Sequence, residues 1–155
     1  DGVTFIATAN IGNEYTATRQ LDKALLDRFT VIEMDLLTQE EEYGLLKYMF
    51  PTVEEKTLEN VSNITSLTRA EAMTENPRIS SGVSTRTSVE IAGLLFDGFS
   101  LLESADITIY PQYDSTGGAD SERTFVKQIV QKFVSDGSSD ELFTEHDVDD
   151  TDSDF

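Results

Sequence analysis

Cysteine is absent from the chain of 155 residues, and histidine occurs only once, at His146. Without cysteine the protein can form no disulfide, bind no metal through thiolates and use no cysteine nucleophile. A lone histidine among carboxylates supplies neither the triad of a serine hydrolase nor a zinc site with the usual ligand spacing. We therefore expect no metal site, and a reducing cytoplasmic compartment is the simplest one for such a chain.

Positive charge is also scarce. The sequence has 11 lysines and arginines against 30 aspartates and glutamates, which gives a formal net charge of -19. This charge repels phosphate backbones and anionic lipids. No apolar run approaches the roughly 20 residues that span a bilayer, and the first residues lack the pattern of a signal peptide. We expect no direct nucleic-acid partner and no membrane partner.

The first 36 residues are typical of a small piece of an α/β sheet. Residues 3–9 form an apolar, partly β-branched run that predicts a buried strand, and residues 30–35 predict a second one. Between them, a polar loop precedes a short helix with leucines at helical spacing and Arg28 in its last turn. Because the chain opens directly in a predicted strand, we expect it to be a fragment of a longer protein.

From residue 38 onward the pattern is helical. The predicted capping residues are Thr38 with Glu41, Thr52 with Glu55, Ser84 or Thr85, and Asp120. Residues 107–111 favour a short strand or an extended connection, and residues 137–155 are an acidic segment typical of disorder. The predicted fold is therefore mostly α with a remnant of an α/β sheet. Its parts are two strands and one helix in residues 1–36, about four helices in residues 37–136, and a disordered tail in residues 137–155.

Three polar residues lie where phosphate chemistry would need them: Asn10 after the first strand, Arg28 at the end of the first helix, and Arg86 at the start of the most apolar helix. Each also has a purely structural interpretation. Asn10 can open a turn, Arg28 can cap its helix, and Arg86 can pair with Glu90 one turn away. The sequence contains no GxxxxGKS loop, so the chain by itself has no obvious place for a triphosphate.

Taken in order, these segments resemble the second half of an AAA+ ATPase module of the dynein-related, MoxR and cobaltochelatase-small-subunit group. Residues 5–10 (FIATAN) are similar to the strand that ends in the sensor 1 residue, and residues 18–29 (TRQLDKALLDRF) to the helix that follows it. Residues 83–88 (VSTRTS) are similar to the start of the sensor 2 helix. The resemblance covers roughly residues 3–135 and implies the end of an AAA+ core followed by a helical lid.

The resemblance also implies roles for four residues. Asn10 would be sensor 1 and position the attacking water, while Arg86 would be sensor 2 and contact the nucleotide of its own subunit. Arg28 would be the arginine finger that acts on the neighbouring subunit, with Arg19 as a second candidate ranked below it. Such a finger stabilises the charge that develops on the γ-phosphate, by about 10³ to 10⁵ in rate in comparable systems.

The implied function is that of a ring ATPase, expected to be a hexamer, that binds ATP and Mg²⁺ between subunits and remodels a partner protein. The phosphate loop and the magnesium-binding strand of that family are missing from the chain, so this part alone should not hydrolyse ATP. Two alternatives remain. A non-enzymatic acidic docking module would use its arginines structurally, and a DNA-associated AAA+ remodeller would usually have a basic face, which the net charge of -19 disfavours.

Overall fold

The computed structural model describes residues 2–8, 24 and 27–135. The chain divides into two compact units, Asp1–Asp35 and Leu36–Phe155. The second unit contains all the helices whose bounds are given below. The predicted disordered tail, residues 137–155, lies outside the described residues.

The first unit overturns the predicted sheet remnant, because none of the residues that the structure describes lies in a β-strand. Residues 2–8 and 30–35 have no regular secondary structure, and their apolar side chains are exposed, Ile6 by 92% and Met34 by 89%. A strand needs a neighbouring strand to satisfy its backbone groups and a second layer to cover its apolar face. The described part of this unit contains neither, so the prediction of two strands is wrong.

The described residues of the second unit form five α-helices and two short 3₁₀ turns, where the pattern after residue 38 predicts about four helices. The helices are α1 (Gln39–Met49), α2 (Glu55–Ala72), α3 (Thr85–Phe96), α4 (Leu101–Thr108) and α5 (Glu122–Ser135). The 3₁₀ turns are Tyr110–Gln112 and Gly118–Asp120. No helix among the described residues is long and apolar enough to cross a membrane.

Short-range capping signals locate some of these helix starts correctly. The predicted capping box at α1 is confirmed: Glu41 N donates to Thr38 Oγ1 at 3.3 Å, and Thr38 N donates to Glu41 Oε2 at 2.9 Å. Ser84 caps α3, since its hydroxyl accepts from Thr87 N at 3.2 Å. A second capping box, Ser100 with Glu103, starts α4. It was not predicted, although its S-x-x-E pattern is visible in the sequence.

Three local predictions are wrong. Thr52 does not cap α2, which starts after Glu54 without any side-chain cap, because residues 51–53 form a turn closed by Val53 N donating to Phe50 O. Asp120 belongs to a 3₁₀ turn, and the hydroxyl of Ser121 instead accepts from Thr124 N at 3.2 Å in the first turn of α5. Residues 107–111 are not extended, since α4 continues to Thr108 and a 3₁₀ turn follows.

Helix α2 is the central element of the second unit and contacts α1, α3 and α5. Its buried residues recur at helical spacing, which puts them on faces shared with the neighbouring helices. The buried apolar core comprises Leu46, Leu58, Val61, Ile64, Ile79, Val83, Ile91, Ala92, Ala105, Ile109, Tyr110, Tyr113, Val126, Ile129 and Val130. Because several of these residues come from the connections rather than the helices, the loops around residues 79–83 and 109–113 are part of the core.

The capping boxes should make the stability of this unit depend on pH. The backbone N–H of Thr38 lowers the pKa of Glu41, and that of Ser100 lowers the pKa of Glu103, below the ordinary value of 4.5. A carboxyl group with a depressed pKa in the folded state stabilises the fold above the unfolded-state pKa and loses that effect as the pH falls through the folded-state pKa. We therefore expect the free energy of unfolding to decrease once the pH falls below about 4.5.

The measurement is urea unfolding at a series of pH values between about 7 and 3. In the double variant Glu41→Gln/Glu103→Gln the acid-induced loss should be smaller than in the unchanged protein, because neither amide titrates. Glu75→Gln/Glu90→Gln is the control, since both side chains are exposed and take part in neither capping box. An equal loss in both double variants would show that the capping boxes are not the source of the pH dependence.

Candidate functional site

A buried ion pair between Arg69 of α2 and Glu42 of α1 organises the polar interior of the second unit. Arg69 Nη1 lies 2.5 Å from Glu42 Oε2, and both side chains are almost completely buried, 9% and 1% exposed. Arg69 Nη2 donates to Glu42 Oε1 at 3.3 Å, so the contact is bidentate. The hydroxyl of Ser88 in α3 also donates to Glu42 Oε1. The pair thus connects three helices.

The remaining donors of Arg69 are used as well. Nε donates to Val83 O at 2.8 Å, Nη1 to Leu37 O at 3.1 Å, and Nη2 to Thr85 Oγ1 at 3.1 Å. No buried side-chain nitrogen or oxygen of the described residues lacks a partner. Because every polar group is satisfied, the arrangement has the character of a structural clamp rather than of a site that waits for a ligand.

The described residues form an open groove of about 690 Å³. It lies between the start of α2, the end of α3, the start of α4 and the end of α5. The lining residues are Thr52, Val53, Glu54, Lys56, Thr57, Asn60, Leu95, Phe96, Gly98, Phe99, Ser100, Leu101, Leu102, Phe133 and Val134.

One wall of the groove is apolar and accessible. Phe96 is 58% exposed, Phe99 43% and Leu102 39%. Binding sites are usually concave and lined mainly by apolar side chains with a few polar groups, and this groove has both kinds of lining residue. The opposite wall, from the start of α2, carries hydroxyl, amide and charged side chains. An amphipathic ligand would therefore find apolar and polar contacts on opposite walls.

The walls of the groove are fixed by specific contacts. Asn60 Nδ2 of α2 donates to Phe133 O at 3.1 Å, which holds the end of α5 against the start of α2. The ring centroids of Phe50 and Phe96 are 6.2 Å apart, so Phe96 is anchored while part of its ring stays accessible. The capping box at Ser100 fixes the start of α4. The groove is therefore largely preformed.

Negative charge surrounds the groove. Its acidic rim, defined here as Glu54, Asp97 and Glu103, consists of a lining residue and two residues adjacent to lining residues. Lys56 is the only cation among the lining residues, and its Nζ lies 3.2 Å from Glu59 Oε2, which offsets its charge. The backbone N–H of Ser100 lowers the pKa of Glu103, so this rim carboxylate is ionised at neutral pH. The rim and the lining residues together therefore carry three carboxylates and one ammonium group.

Of the four residues predicted to act on a nucleotide, Asn10 and Arg19 lie outside the described residues. Arg28, in the first unit, is exposed, and its Nη1 donates to Ala24 O at 3.0 Å. An arginine that donates to the carbonyl four residues earlier agrees with the structural interpretation of Arg28. Its predicted role as an arginine finger stays a prediction.

Arg86, in the second unit, is exposed in the first turn of α3. Within residues 27–135 its guanidinium takes part in none of the ion pairs, and the expected pair with Glu90 is not formed. Its predicted contact with a nucleotide stays a prediction. His146 lies outside the described residues, and within the described ones no group of three His, Asp or Glu side chains could hold a metal ion.

The described residues of the second unit form a small helical domain with an accessible groove. Comparison with known proteins identifies a relative of the chain. No family model matches the chain. Over 104 residues, 67% of the chain, the sequence is 36% identical to a protein of Thauera aromatica named "Putative chaperone BssE". The match covers 34% of that protein, so the chain spans about a third of the length of this curated relative.

These findings overturn the identification as an AAA+ ATPase of the MoxR and cobaltochelatase group. No AAA+ family model matches, the curated relative is named a chaperone, and the described residues lack the two strands with which such a core would end. What the findings support is a helical protein related to one named as a chaperone. The residues that carried the resemblance are short motifs, and short motifs occur by chance more often than whole folds do.

Proposed function

We propose that the second unit is a partner-binding domain of a chaperone-like protein and that its groove binds an apolar segment of another polypeptide. The observation that carries this proposal is that three large apolar side chains, Phe96, Phe99 and Leu102, are accessible together along one groove. The name of the Thauera aromatica relative supports a role that involves protein partners. This function corresponds to the non-enzymatic docking module that the sequence left open as an alternative. The structure adds a candidate docking surface, the groove.

The geometry suits a peptide segment better than a small polar metabolite. The groove is open along one side, and its apolar wall presents three large side chains from α3, α4 and their connection. Grooves between helices commonly receive the apolar face of an amphipathic helix, with anchors at positions i, i+3, i+4 and i+7. Remodelling of the bound partner would require a further activity, and the chain spans only about a third of its relative. Hydrolysis of ATP with Mg²⁺ and assembly into a hexameric ring stay predictions, and the groove does not depend on either.

The test is the binding of a fluorescent amphipathic peptide, with leucines at helical spacing and glutamines elsewhere, to the 155-residue chain. The double variant Phe99→Ser/Leu102→Ser should weaken binding by about tenfold or more, since the two side chains supply apolar anchors and tenfold corresponds to about 1.4 kcal/mol. Fluorescence anisotropy gives the dissociation constants. Because both residues are partly exposed, the substitutions should leave the fold intact, which circular dichroism checks.

The matched control is Tyr48→Ser/Met73→Ser. These residues are also exposed, by 86% and 73%, and neither lines the groove. Binding should change by less than about twofold in this variant, because scattered exposed apolar residues seldom contribute to a specific site. Equal weakening in both double variants, or no binding by the unchanged protein, would contradict the groove as the binding site.

A further inference from the structure

We infer that the partner segment recognised by the groove is an amphipathic helix whose apolar face is flanked by lysine or arginine. This inference rests on the proposed function and specifies the chemistry of the partner. Its basis is the combination, in one place, of an exposed apolar wall and an acidic rim. Neither feature alone would identify a partner, but together they select against acidic and neutral segments in favour of basic ones.

Each residue of the acidic rim lines the groove or is adjacent in sequence to a lining residue. Asp97 lies between Phe96 and Gly98, two lining residues at the end of α3. Glu103 follows Leu102 in the first turn of α4, and Glu54 lies across the groove before the start of α2. A helix whose apolar side chains enter the groove would therefore present its flanking residues to carboxylates on both sides.

Cations that could neutralise this rim are few. The positive charge of Lys56 is offset by Glu59 at 3.2 Å, and Lys47 at the end of α1 is paired with Glu55 at 2.7 Å. Lys132, which is adjacent to the lining residue Phe133, also has an interaction partner. The sequence that continues from the end of α5 beyond Ser135 contains nine acidic residues and no lysine or arginine. A partner with basic flanks would thus be attracted from a distance and held at the rim, and an acidic partner would be repelled.

The experiment compares three labelled peptides that share one apolar face and differ only in flanking residues, which are lysine, glutamine or glutamate. At ~50 mM salt we expect the lysine peptide to bind the 155-residue chain about tenfold more tightly than the glutamate peptide, with the glutamine peptide between them. At ~500 mM salt the difference should shrink to about threefold or less, because exposed charges are screened beyond a few ångströms.

Two charge-neutralising variants locate the effect. Glu54→Gln/Asp97→Asn removes two rim charges. It should weaken the affinity for the lysine peptide about threefold and leave the affinity for the glutamine peptide unchanged. Glu75→Gln/Asp120→Asn removes the same charge at exposed positions beyond the opposite ends of α2 and of α5, and should affect all peptides equally. If both variants weakened binding of the lysine peptide by the same factor, the net charge of the chain, and not the rim, would select the partner. That result would overturn the inference.

The outcomes also separate this inference from the function on which it rests. If all three peptides bound with equal affinity and Phe99→Ser/Leu102→Ser abolished this binding, the groove would still be a docking site. The preference for basic flanks would be overturned. Failure of every peptide to bind would overturn the docking function and the inference together. A lysine peptide that binds tightly but is insensitive to Phe99→Ser/Leu102→Ser would place the charged contact elsewhere and overturn both.

Discussion

Replacing Arg69 by methionine is expected to lower the free energy of unfolding by about 3–5 kcal/mol, which is a large part of the total stability of a domain this size. The substitution leaves Glu42 buried without its counter-charge, and removes the donors to Val83 O and Leu37 O. A buried charge that has lost its partner costs far more than the intact pair contributes. Urea unfolding, followed by far-ultraviolet circular dichroism, measures the change.

The chain offers a matched control, since Arg86→Met is the same substitution at an exposed position in the first turn of α3. We expect this variant to change the free energy of unfolding by no more than about 0.5 kcal/mol. The double variant Arg69→Met/Glu42→Met should recover part of the loss, because the uncompensated carboxylate is gone as well. If Arg69→Met and Arg86→Met lowered the free energy of unfolding by equally small amounts, the ion pair could not be the structural clamp.

The sequence predicts four of the five helices because the signals for a helix are local, but it misses α4. A capping box such as Thr38 with Glu41 needs only four residues, and the apolar spacing of Leu58, Val61 and Ile64 needs little more than two turns of helix. The strands at residues 3–9 and 30–35 failed for the opposite reason. An apolar β-branched run indicates a preference for burial, but a strand forms only if another segment pairs with it, and that information is not in the run itself.

The groove and the clamp could be predicted only in part. Arg69 follows Val61 and Thr65 by eight and four residues, so it lies on the buried face of α2, and a charge there requires a partner. Which acid provides it, 27 residues earlier in the chain, depends on how α1 packs. The groove depends even more on tertiary structure, because Phe96 and Phe99 look like core residues in the sequence. They remain accessible because α3 ends at Phe96, before a turn at Gly98 with φ of 94°.

The close packing around the clamp predicts a second large effect, at Gly82. A Cβ atom added there would lie 2.6 Å from both Cα and Cγ of Arg69 and 2.8 Å from its backbone nitrogen. Since two of these atoms belong to the main chain of α2, they cannot rotate away, and the loop must move off the helix. That movement would stretch the bonds from Val83 N to Thr68 Oγ1, 3.0 Å, and from Arg69 Nε to Val83 O, 2.8 Å.

We therefore expect Gly82→Ala to lower the free energy of unfolding by about 1–3 kcal/mol, in the range of overpacked cores. Gly44→Ala is the control of opposite sign. Gly44 lies in the middle of α1 with nothing within 4 Å of an added Cβ, so alanine should stabilise the helix by up to about 1 kcal/mol. Urea unfolding of both variants separates the two effects. If both substitutions were stabilising, the contact between the loop and α2 would be looser than described, and Arg69 would be held by its ion pair alone rather than by the loop that covers it.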